Sequence, residues 1–591
     1  MTNYNPPVKD MRFVLRELVG LDRVLRLDEY ADVDADTIDQ VLEEAGTFAQ
    51  EVLAPLNVPG DQQGCRVEDR AVRVADGFVG AYRQFVDNGW QTLPVSPEYG
   101  GMGLPDAVAV ATFEMWQSAN MAFSLCPMLT SGAVTAIAAH GTDELRQTYL
   151  PKLVTGEWSG TMVLTEPQAG SDLAAITTKA VAEHSHYRIT GTKIYITWGD
   201  HPMADNVVHL VLARLEGAPE GVRGISMFLV PKFLVNADGS TGDRNDVYAT
   251  SVEHKLGIHA SPTCVMNFGD GDGAIGYLIG EEGKGLANMF TMMNHARLEV
   301  GVQGLAIGER AYQLARAYAL DRVQGRAPGQ EGRVTIVHHA DVRRMLMLMK
   351  SQIEAMRAAA YGTGALLDLE MHCDDDAERE AASARFALLT PVIKGWLTEV
   401  AQEITSLGIQ VHGGMGYVEE TGAAQHYRDA RILTIYEGTT GIQANDFVGR
   451  KILADEGRAI RSLVGDLRAT GELLASSGSL ADLRPALDRA TDALETAVDW
   501  LVAAAPYDAN APGAAAVNLL MLAGTVVGGW QMARAALAAE GGDGGYDAGF
   551  REAKVQTARF YFGQVLPRAH AYGQAATAGA DSVMKLAEER F

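Results

Sequence analysis

The chain is short of cysteine, of positive charge and of long apolar runs, and each shortage removes a class of protein. Cys65, Cys126, Cys264 and Cys373 are the four cysteines among 591 residues. They lie far apart with no CxxC pair, so neither a disulfide framework nor a cysteine-based zinc site is expected, and a reducing compartment fits. Lys and Arg number 49 against 75 Asp and Glu, a net charge of −26, which disfavours nucleic acid as a partner because binding it needs a basic face. The longest apolar window, 514–530, contains Asn518 and three glycines and falls short of the roughly 20 residues that cross a bilayer, so it reads as a buried helix and no membrane span is expected. The N-terminus carries Asp10, Glu17 and Asp22 where a signal peptide would have a basic start and an apolar core. A mature chain beginning near Met1 and a cytoplasmic location are the expectations. Catalytic signatures are missing too. There is no GxGxxG within a βαβ unit, no Gly-x-Ser-x-Gly elbow and no reactive-cysteine context, and His338-His339 are too close together for helical metal spacing, so no metal is expected.

What is present is a globular composition, 47% apolar and 21% charged, long enough for several domains. Apolar residues at helical spacing make 11–27 a docking helix. Asp34-Ala-Asp-Thr37 caps the next helix, 79–88 continues another, and 106–122 and 131–139 read as two more. From about Gly160 the period changes to β-branched and alternating runs at 187–197, 206–215, 224–234 and 263–268, with 235–246 as an exposed hairpin loop. Helical spacing returns in long segments at 286–323, 336–371 and 378–407, which predicts a bundle. An Ala-rich tail follows, with helices near 458–475, 483–505, 514–539 and 550–586 and a flexible joint at 541–545. These changes divide the chain into a docking segment 1–35, a helical domain 36–159, a β domain 160–280, a helical bundle 281–454 and an additional helical domain 455–591.

The stretch Arg431-Ile-Leu-Thr-Ile-Tyr-Glu-Gly-Thr-Thr-Gly-Ile-Gln443 stands out. Ile432, Leu433, Ile435 and Tyr436 read as a buried approach, and Gly438 and Gly441 permit a tight bend near a ligand. A carboxylate held there loses hydration, rises in pKa and suits a general base. Glu437 also reads as a residue that starts the helix at about 442–454. Thr161-Met-Val-Leu-Thr-Glu-Pro-Gln-Ala-Gly-Ser-Asp172 joins a strand to a turn of hydroxyls and amides that suits a planar ring with polar edges, or is a β-turn capped by Ser171-Asp172. Tyr195 and Thr197, two residues apart on one strand face, fit stacking plus one hydrogen bond, or an ordinary core position. Arg297 and Arg322 suit phosphate or a helix-surface ion pair. Gln410-Val-His-Gly-Gly-Met-Gly416 is a glycine turn without the dinucleotide order. Met115, Trp116, Asn120, Met121 and Phe123 read as the lining of a pocket or as core packing.

In their order and spacing these stretches, with Lys193-Ile-Tyr-Ile-Thr197 and Arg428-Asp-Ala-Arg431, closely resemble the acyl-CoA dehydrogenase family over about 40–450. The N-terminal segment and the tail look like a longer bacterial subgroup that includes enzymes of 3-(methylthio)propanoyl-CoA oxidation and fatty-acyl-CoA dehydrogenases. The resemblance implies a mainly α fold with a central β domain: an N-terminal helical domain, a middle β-barrel and a C-terminal four-helix bundle, here with an extra helical domain. It implies non-covalent FAD, a homodimer or homotetramer, and an electron-transfer flavoprotein as acceptor. Carried over, Met162, Leu164, Thr165, Tyr195 and Thr197 surround the flavin ring and Thr439 helps hold the cofactor. Arg322, Gln324, Gln410 and Gly414 complete a neighbouring subunit's flavin site. Ser171, Arg297, Tyr436 and Gly438 contact the acyl-CoA substrate. Glu437 takes the α-proton while the β-hydride passes to the flavin, giving a trans-2-enoyl-CoA. The sequence departs from the family pattern at Tyr195, where Trp is usual, and at Gly441, where Gln is often found. An acyl-CoA oxidase and a DNA-associated flavoprotein of the alkylation-response type are the alternatives, the second disfavoured by the acidic tail.

Overall fold

Alternating β-branched residues and Gly- or Asn-rich turns build a mixed sheet in the middle of the chain. A computed structural model describes residues 4–542 and 544–591. Its strands run in the order Val247–Val252, Thr263–Phe268, His186–Thr197, Ala274–Ile279, Ile225–Pro231, Asn206–Leu215 and Trp158–Val163. Lys179–Glu183 pairs antiparallel with His186–Thr197 and parallel with Asn206–Leu215. That double pairing closes five strands into a ring, so the sheet is barrel-like and has few free edges. Strand Asn206–Leu215 is buried along nearly its whole length. Its Val211 and Ala213 pack with Ile189, Phe228 and Met266, while the alternate Val208, Leu210 and Leu212 pack with Leu129, Ile137 and Leu153 of flanking helices. The expected loop at 235–246 carries a short hairpin, Phe233–Val235 with Thr241–Arg244.

The barrel belongs to one unit, Ala45–Leu104 with Ala119–Ala296; the segment up to Glu44, Pro105–Ser118 and Arg297–Phe591 form a second, helical unit. The helices expected at 106–122 and 131–139 lie on one stretch, Asp106–His140, whose break falls at Asn120 with φ −157°. The Asn120 side-chain oxygen accepts from the Phe123 N–H at 3.1 Å, so an N-cap sets the boundary and the second helix starts well before residue 131. The five residues read as pocket or core are all buried.

In the helical unit the long periodic segments become Gly285–Asp321, Ala340–His372 and Asp376–His412. The tail adds Arg458–Ser476, Arg484–Ala504 and Ala511–Gly541. Ala511–Gly541 is long and apolar enough to cross a membrane, as is Asp106–His140, and each is mostly buried within the protein. The glycines of Ala511–Gly541 explain how it beds down. A Cβ at Gly524 would lie 2.2 Å from the Trp396 ring, and one at Gly528 would lie 2.3 Å from the Tyr561 hydroxyl oxygen. The single helix expected at 550–586 is instead three, Ala548–Gln564, Arg568–Ala576 and Asp581–Met584. Pro567, which has no N–H to continue the ladder, stands at the first break. The joint expected at 541–545 includes Asp543, which lies outside the described residues.

Buried charges tie the first segment and the tail to the bundle. Arg357 reaches Asp10 at 2.6 Å, Glu114 at 2.6 Å and Glu309 at 2.7 Å, and Tyr361 donates to Glu114 at 2.6 Å. Lys554 pairs with Glu354 at 3.0 Å and with Asp10. Burial opposes ionisation of Asp10, yet Lys554 and Arg357 overcome it and hold the carboxyl far below the usual carboxylate range. Phe13 packs edge-on against Tyr546 and Phe550, with ring centres 5.3 and 5.5 Å away; the helix expected at 11–27 is instead Val8–Phe13, continued by the wider turn Val14–Val19, and a short helix Leu21–Val24. Breaking a buried pair leaves a charge uncompensated. Lys554→Met is therefore expected to lower stability by about 3 kcal/mol, seen as a lower urea midpoint, and an unchanged midpoint would show that these pairs do not hold the tail to the bundle.

Candidate active site

On the helical unit the chain leaves helix Ala423–Ala430 through a tight turn, Arg431–Thr434, and reaches Glu437. Of the apolar residues expected to bury this approach, Leu433 is fully buried but Ile435 is 48% exposed, because the tight turn does not keep all four on one side. Glu437 adopts the left-handed region, φ +54°, followed by Gly438 at +93°. A residue with a side chain pays strain of order 1–3 kcal/mol there, so surrounding contacts must hold it. A Cβ on Gly438 would lie 2.6 Å from the Gln443 side-chain nitrogen, which makes glycine necessary for both space and conformation. The helix-start role belongs to Thr439. Its hydroxyl accepts from the Ile442 N–H at 3.2 Å and caps helix Thr440–Asp446, leaving the Glu437 carboxyl for other work.

Glu437 is half-buried at its surface but enclosed by protein on its other sides. That burial pushes its carboxyl up to about 7, against the opposing pull of Arg297 and Lys394 and with the help of Glu299. Arg297 is only 3% exposed, and its guanidinium lies 3.6 Å from Asp446. Arg297 thus stands beside Asp446 and among the charges that act on Glu437. Tyr436 donates its hydroxyl to Gln303.

On the barrel unit, strand Trp158–Val163 and the residues after it present Met162, Leu164 and Thr165 as partly open positions between buried Thr161, Val163 and Glu166. Thr165 gives its backbone carbonyl to the Ile194 N–H at 2.9 Å. Tyr195 is 60% exposed and left-handed, φ +60°, because a bulge sets Ile194 and Tyr195 opposite the single residue Val265. Regular two-residue alternation does not hold at that point, although Tyr195 and Thr197 both keep open surface while Ile196 between them is buried. Among the described residues the Thr165 and Thr197 hydroxyls make no hydrogen bond within the chain. An apolar ledge with an open aromatic ring and uncommitted hydroxyls fits the ring of a flavin. Ser171 is exposed on the turn, and Asp172 caps the short helix Leu173–Ala175 by accepting from Ala174 at 3.1 Å.

Beneath this ledge lies a pair that the sequence reading passed over. Lys193, fully buried, reaches Glu166 at 2.9 Å and the Leu164 carbonyl at 2.8 Å. Glu166 also accepts from the Thr177 and Thr178 N–H groups and hydroxyls at 2.6–3.0 Å. Burial penalises the charge on Glu166, but Lys193 and these donors bring its carboxyl down to about 2. Arg322 and Gln324 lie exposed just beyond helix Gly285–Asp321 and meet side chain to side chain at 3.2 Å. Gln410 and Gly414 are exposed at the end of helix Asp376–His412 and in the turn after it. Among the described residues no cluster of His, Cys, Asp or Glu is arranged to hold a metal ion.

Four family matches cover nearly the whole chain. The acyl-CoA dehydrogenase N-terminal domain matches 35–157, the middle domain 161–270 and the C-terminal domain 283–452, and an acetyl-CoA dehydrogenase C-terminal-like domain matches 460–587. The chain belongs to the acyl-CoA dehydrogenase family. It is 48% identical over 588 residues to the 3-methylmercaptopropionyl-CoA dehydrogenase of Ruegeria pomeroyi, covering 98% of this chain and 99% of that protein. It is 36% identical over 615 residues to the broad-specificity linear acyl-CoA dehydrogenase FadE5 of Mycobacterium tuberculosis, covering 100% of each. The fold is shared with an acyl-CoA dehydrogenase of Bacillus anthracis solved in complex with FAD, at TM-score 0.74 and 23% identity over 92% of this chain and 88% of that one. The chain is thus an oxidoreductase of a family whose reaction is FAD-dependent α,β-dehydrogenation of acyl-CoA thioesters.

A base works only when ionised, so a carboxyl raised to about 7 fills its active form as pH rises through neutrality. The rate of anaerobic flavin bleaching is therefore expected to climb from pH 6 to 8 with a midpoint near 7 and then to level. A midpoint near an ordinary carboxylate value of about 4.3 would show that Glu437 is not the titrating group.

Proposed function

We propose that Glu437 is the base that removes the α-proton of a short acyl-CoA thioester, with 3-(methylthio)propanoyl-CoA the favoured substrate. The single observation that carries the base assignment is the position of this carboxyl, left-handed and raised to about 7, in a turn whose helix-capping duty falls to Thr439. The substrate choice rests on the 48% identity to the Ruegeria protein over almost all of both chains. Bound FAD supplies the acceptor for the β-hydride. Met162, Leu164, Thr165, Tyr195 and Thr197 would hold its ring. Glu437 takes a proton from a carbon that is only weakly acidic, which asks for a base matched to working pH and for enclosure from water. The Arg297 charge keeps a share of that base ionised at pH 7, while the surrounding protein keeps it from being weak.

The further readings stand on the same footing. Ser171 on its exposed turn and the Tyr436–Gly438 backbone contact the CoA thioester. Arg322, Gln324, Gln410 and Gly414 lie at a subunit interface of a dimer or a dimer of dimers, in keeping with the exposed apolar Met415, Tyr417 and Val418 of the same turn. An electron-transfer flavoprotein takes the electrons, and the protein works in the cytoplasm.

The test is an anaerobic titration of the purified yellow protein with 3-(methylthio)propanoyl-, butanoyl- and palmitoyl-CoA while following the visible flavin band. Bleaching by the methylthio and butanoyl thioesters, with palmitoyl-CoA much slower, is the expected result. Glu437→Gln is expected to keep FAD and lose at least about a hundredfold in rate. Turnover retained in that variant would remove Glu437 from its role, and bleaching by palmitoyl-CoA alone would overturn the substrate assignment.

A further inference from the structure

Three lysines are buried among the described residues: Lys193, Lys394 and Lys554. Two of them have a carboxylate partner, Glu166 at 2.9 Å for Lys193 and Glu354 at 3.0 Å for Lys554. Lys394 is different. It is fully buried on helix Asp376–His412, and among the described residues no carboxylate lies within ion-pair distance of it. Its amine donates instead to the Gly438 backbone carbonyl at 2.6 Å. A buried charge without an ion-pair contact is costly, and a lysine that only filled the bundle would be better replaced by an apolar side chain. What Lys394 touches is the turn that carries Glu437.

A second buried donor meets the same turn. The fully buried Gln443 side-chain amide donates to the Glu437 carbonyl at 3.1 Å and lies 3.5 Å from the Gly438 carbonyl. A trans peptide directs its N–H opposite its C=O. Holding these two carbonyls therefore fixes the planes of both peptides after Glu437, and its φ of +54° cannot relax without breaking the contacts. The charged neighbourhood comes from three elements. Helix Gly285–Asp321 brings Arg297 and Glu299, helix Asp376–His412 brings Lys394 and Glu399, and Asp446 and Arg450 after the turn bear on Arg297. Glu399 is engaged by the Thr440 hydroxyl at 2.6 Å.

We propose that Lys394 is a positioning residue for the reaction: its amine holds the left-handed turn of the base, and its charge favours the ionised form of Glu437. The inference rests on the reading of Glu437 as base. Burial brings the Lys394 amine down to about 7, against the pull of Glu437, so the cation is present over the acidic half of the working range, where the base most needs it.

The experiment compares wild type, Lys394→Met and Lys394→Gln as FAD-loaded protein, each titrated with the thioester that bleaches the wild type, between pH 6 and 9. Lys394→Met, which loses both donor and charge, is expected to lower the plateau rate about tenfold. It is also expected to move the acid limb up by about one pH unit and to leave the thioester concentration for half-maximal rate unchanged. Lys394→Gln, which keeps a donor but no charge, is expected to recover most of the plateau while its acid limb stays displaced. Wild-type bleaching with both variants matching its rate and pH profile would overturn the inference while leaving Glu437 as base. A wild type that no thioester bleaches would instead overturn the functional reading beneath it. Failure of both variants to fold with FAD would also overturn the inference, since a role confined to the turn leaves the bundle intact.

Discussion

Withdrawal of one carboxylate from water is the interaction on which the catalytic unit depends. As the proposed base, Glu437 must lose enough hydration to bind a proton near neutrality, yet keep enough positive charge nearby to release it. Burial alone would leave it neutral at pH 7, and Arg297 alone at full strength would leave it a poor base. The structure sets these against each other. Arg297 is itself divided between Glu437 and Asp446, so its effect on the base is moderated rather than spent on one partner. A tightly paired Arg–Glu bridge would have fixed the carboxylate in a form too weak to take a proton from carbon.

The left-handed conformation follows from that requirement. A carboxylate on a regular helix would face along the helix surface, with neighbours one turn away on both sides. Placed at φ +54°, with a glycine after it and the helix cap delegated to Thr439, it projects from a turn instead. The strain is local and is matched by local contacts, two side-chain donors on the carbonyls that follow. The barrel unit uses a similar device at Tyr195, where a bulge and a second left-handed residue turn an aromatic ring outward from a strand whose flanking Ile196 is in the core. In both places the chain leaves regular hydrogen bonding where a side chain must be aimed, and in both a buried lysine lies beside the departure.

How much of this was legible in the sequence depends on the range over which each feature is determined. The long helices declared themselves because 3.6-residue periodicity persists over many turns, and strands 206–215 and 263–268 because short β-branched or apolar runs bounded by turn residues are local signals. Glu437 was legible as an anomaly, a carboxylate between an apolar run and a glycine turn. The break after 106–122 was expected, but its position at Asn120 and the early start of the second helix were not, because an asparagine inside an apolar helix reads as tolerable until its side chain is seen to cap the next segment. Nor was the division of the tail, where Pro567 interrupts a periodic pattern that continues on either side. Lys193 with Glu166, and Lys394 with Gly438, were invisible for a different reason. Each joins residues 27 and 44 positions apart, and no local pattern marks a lysine as buried.

The tail raises the question of why a bundle that already holds Glu437 should need another helical layer. The packing gives a physical answer. Lys394 and Trp396 lie on the same helix, and Trp396 is bedded against the glycines of Ala511–Gly541, with Leu520 pressing on Gly395 between them. Without that layer the face of helix Asp376–His412 carrying Gly395 and Trp396 would meet water one residue from a buried amine. Water reaching that amine would restore its ordinary basicity and compete for its bond to the Gly438 carbonyl. The added domain therefore covers that face of the bundle with apolar side chains and closely packed backbone. The glycines it contributes are what let an aromatic ring close the face that a larger side chain would hold open.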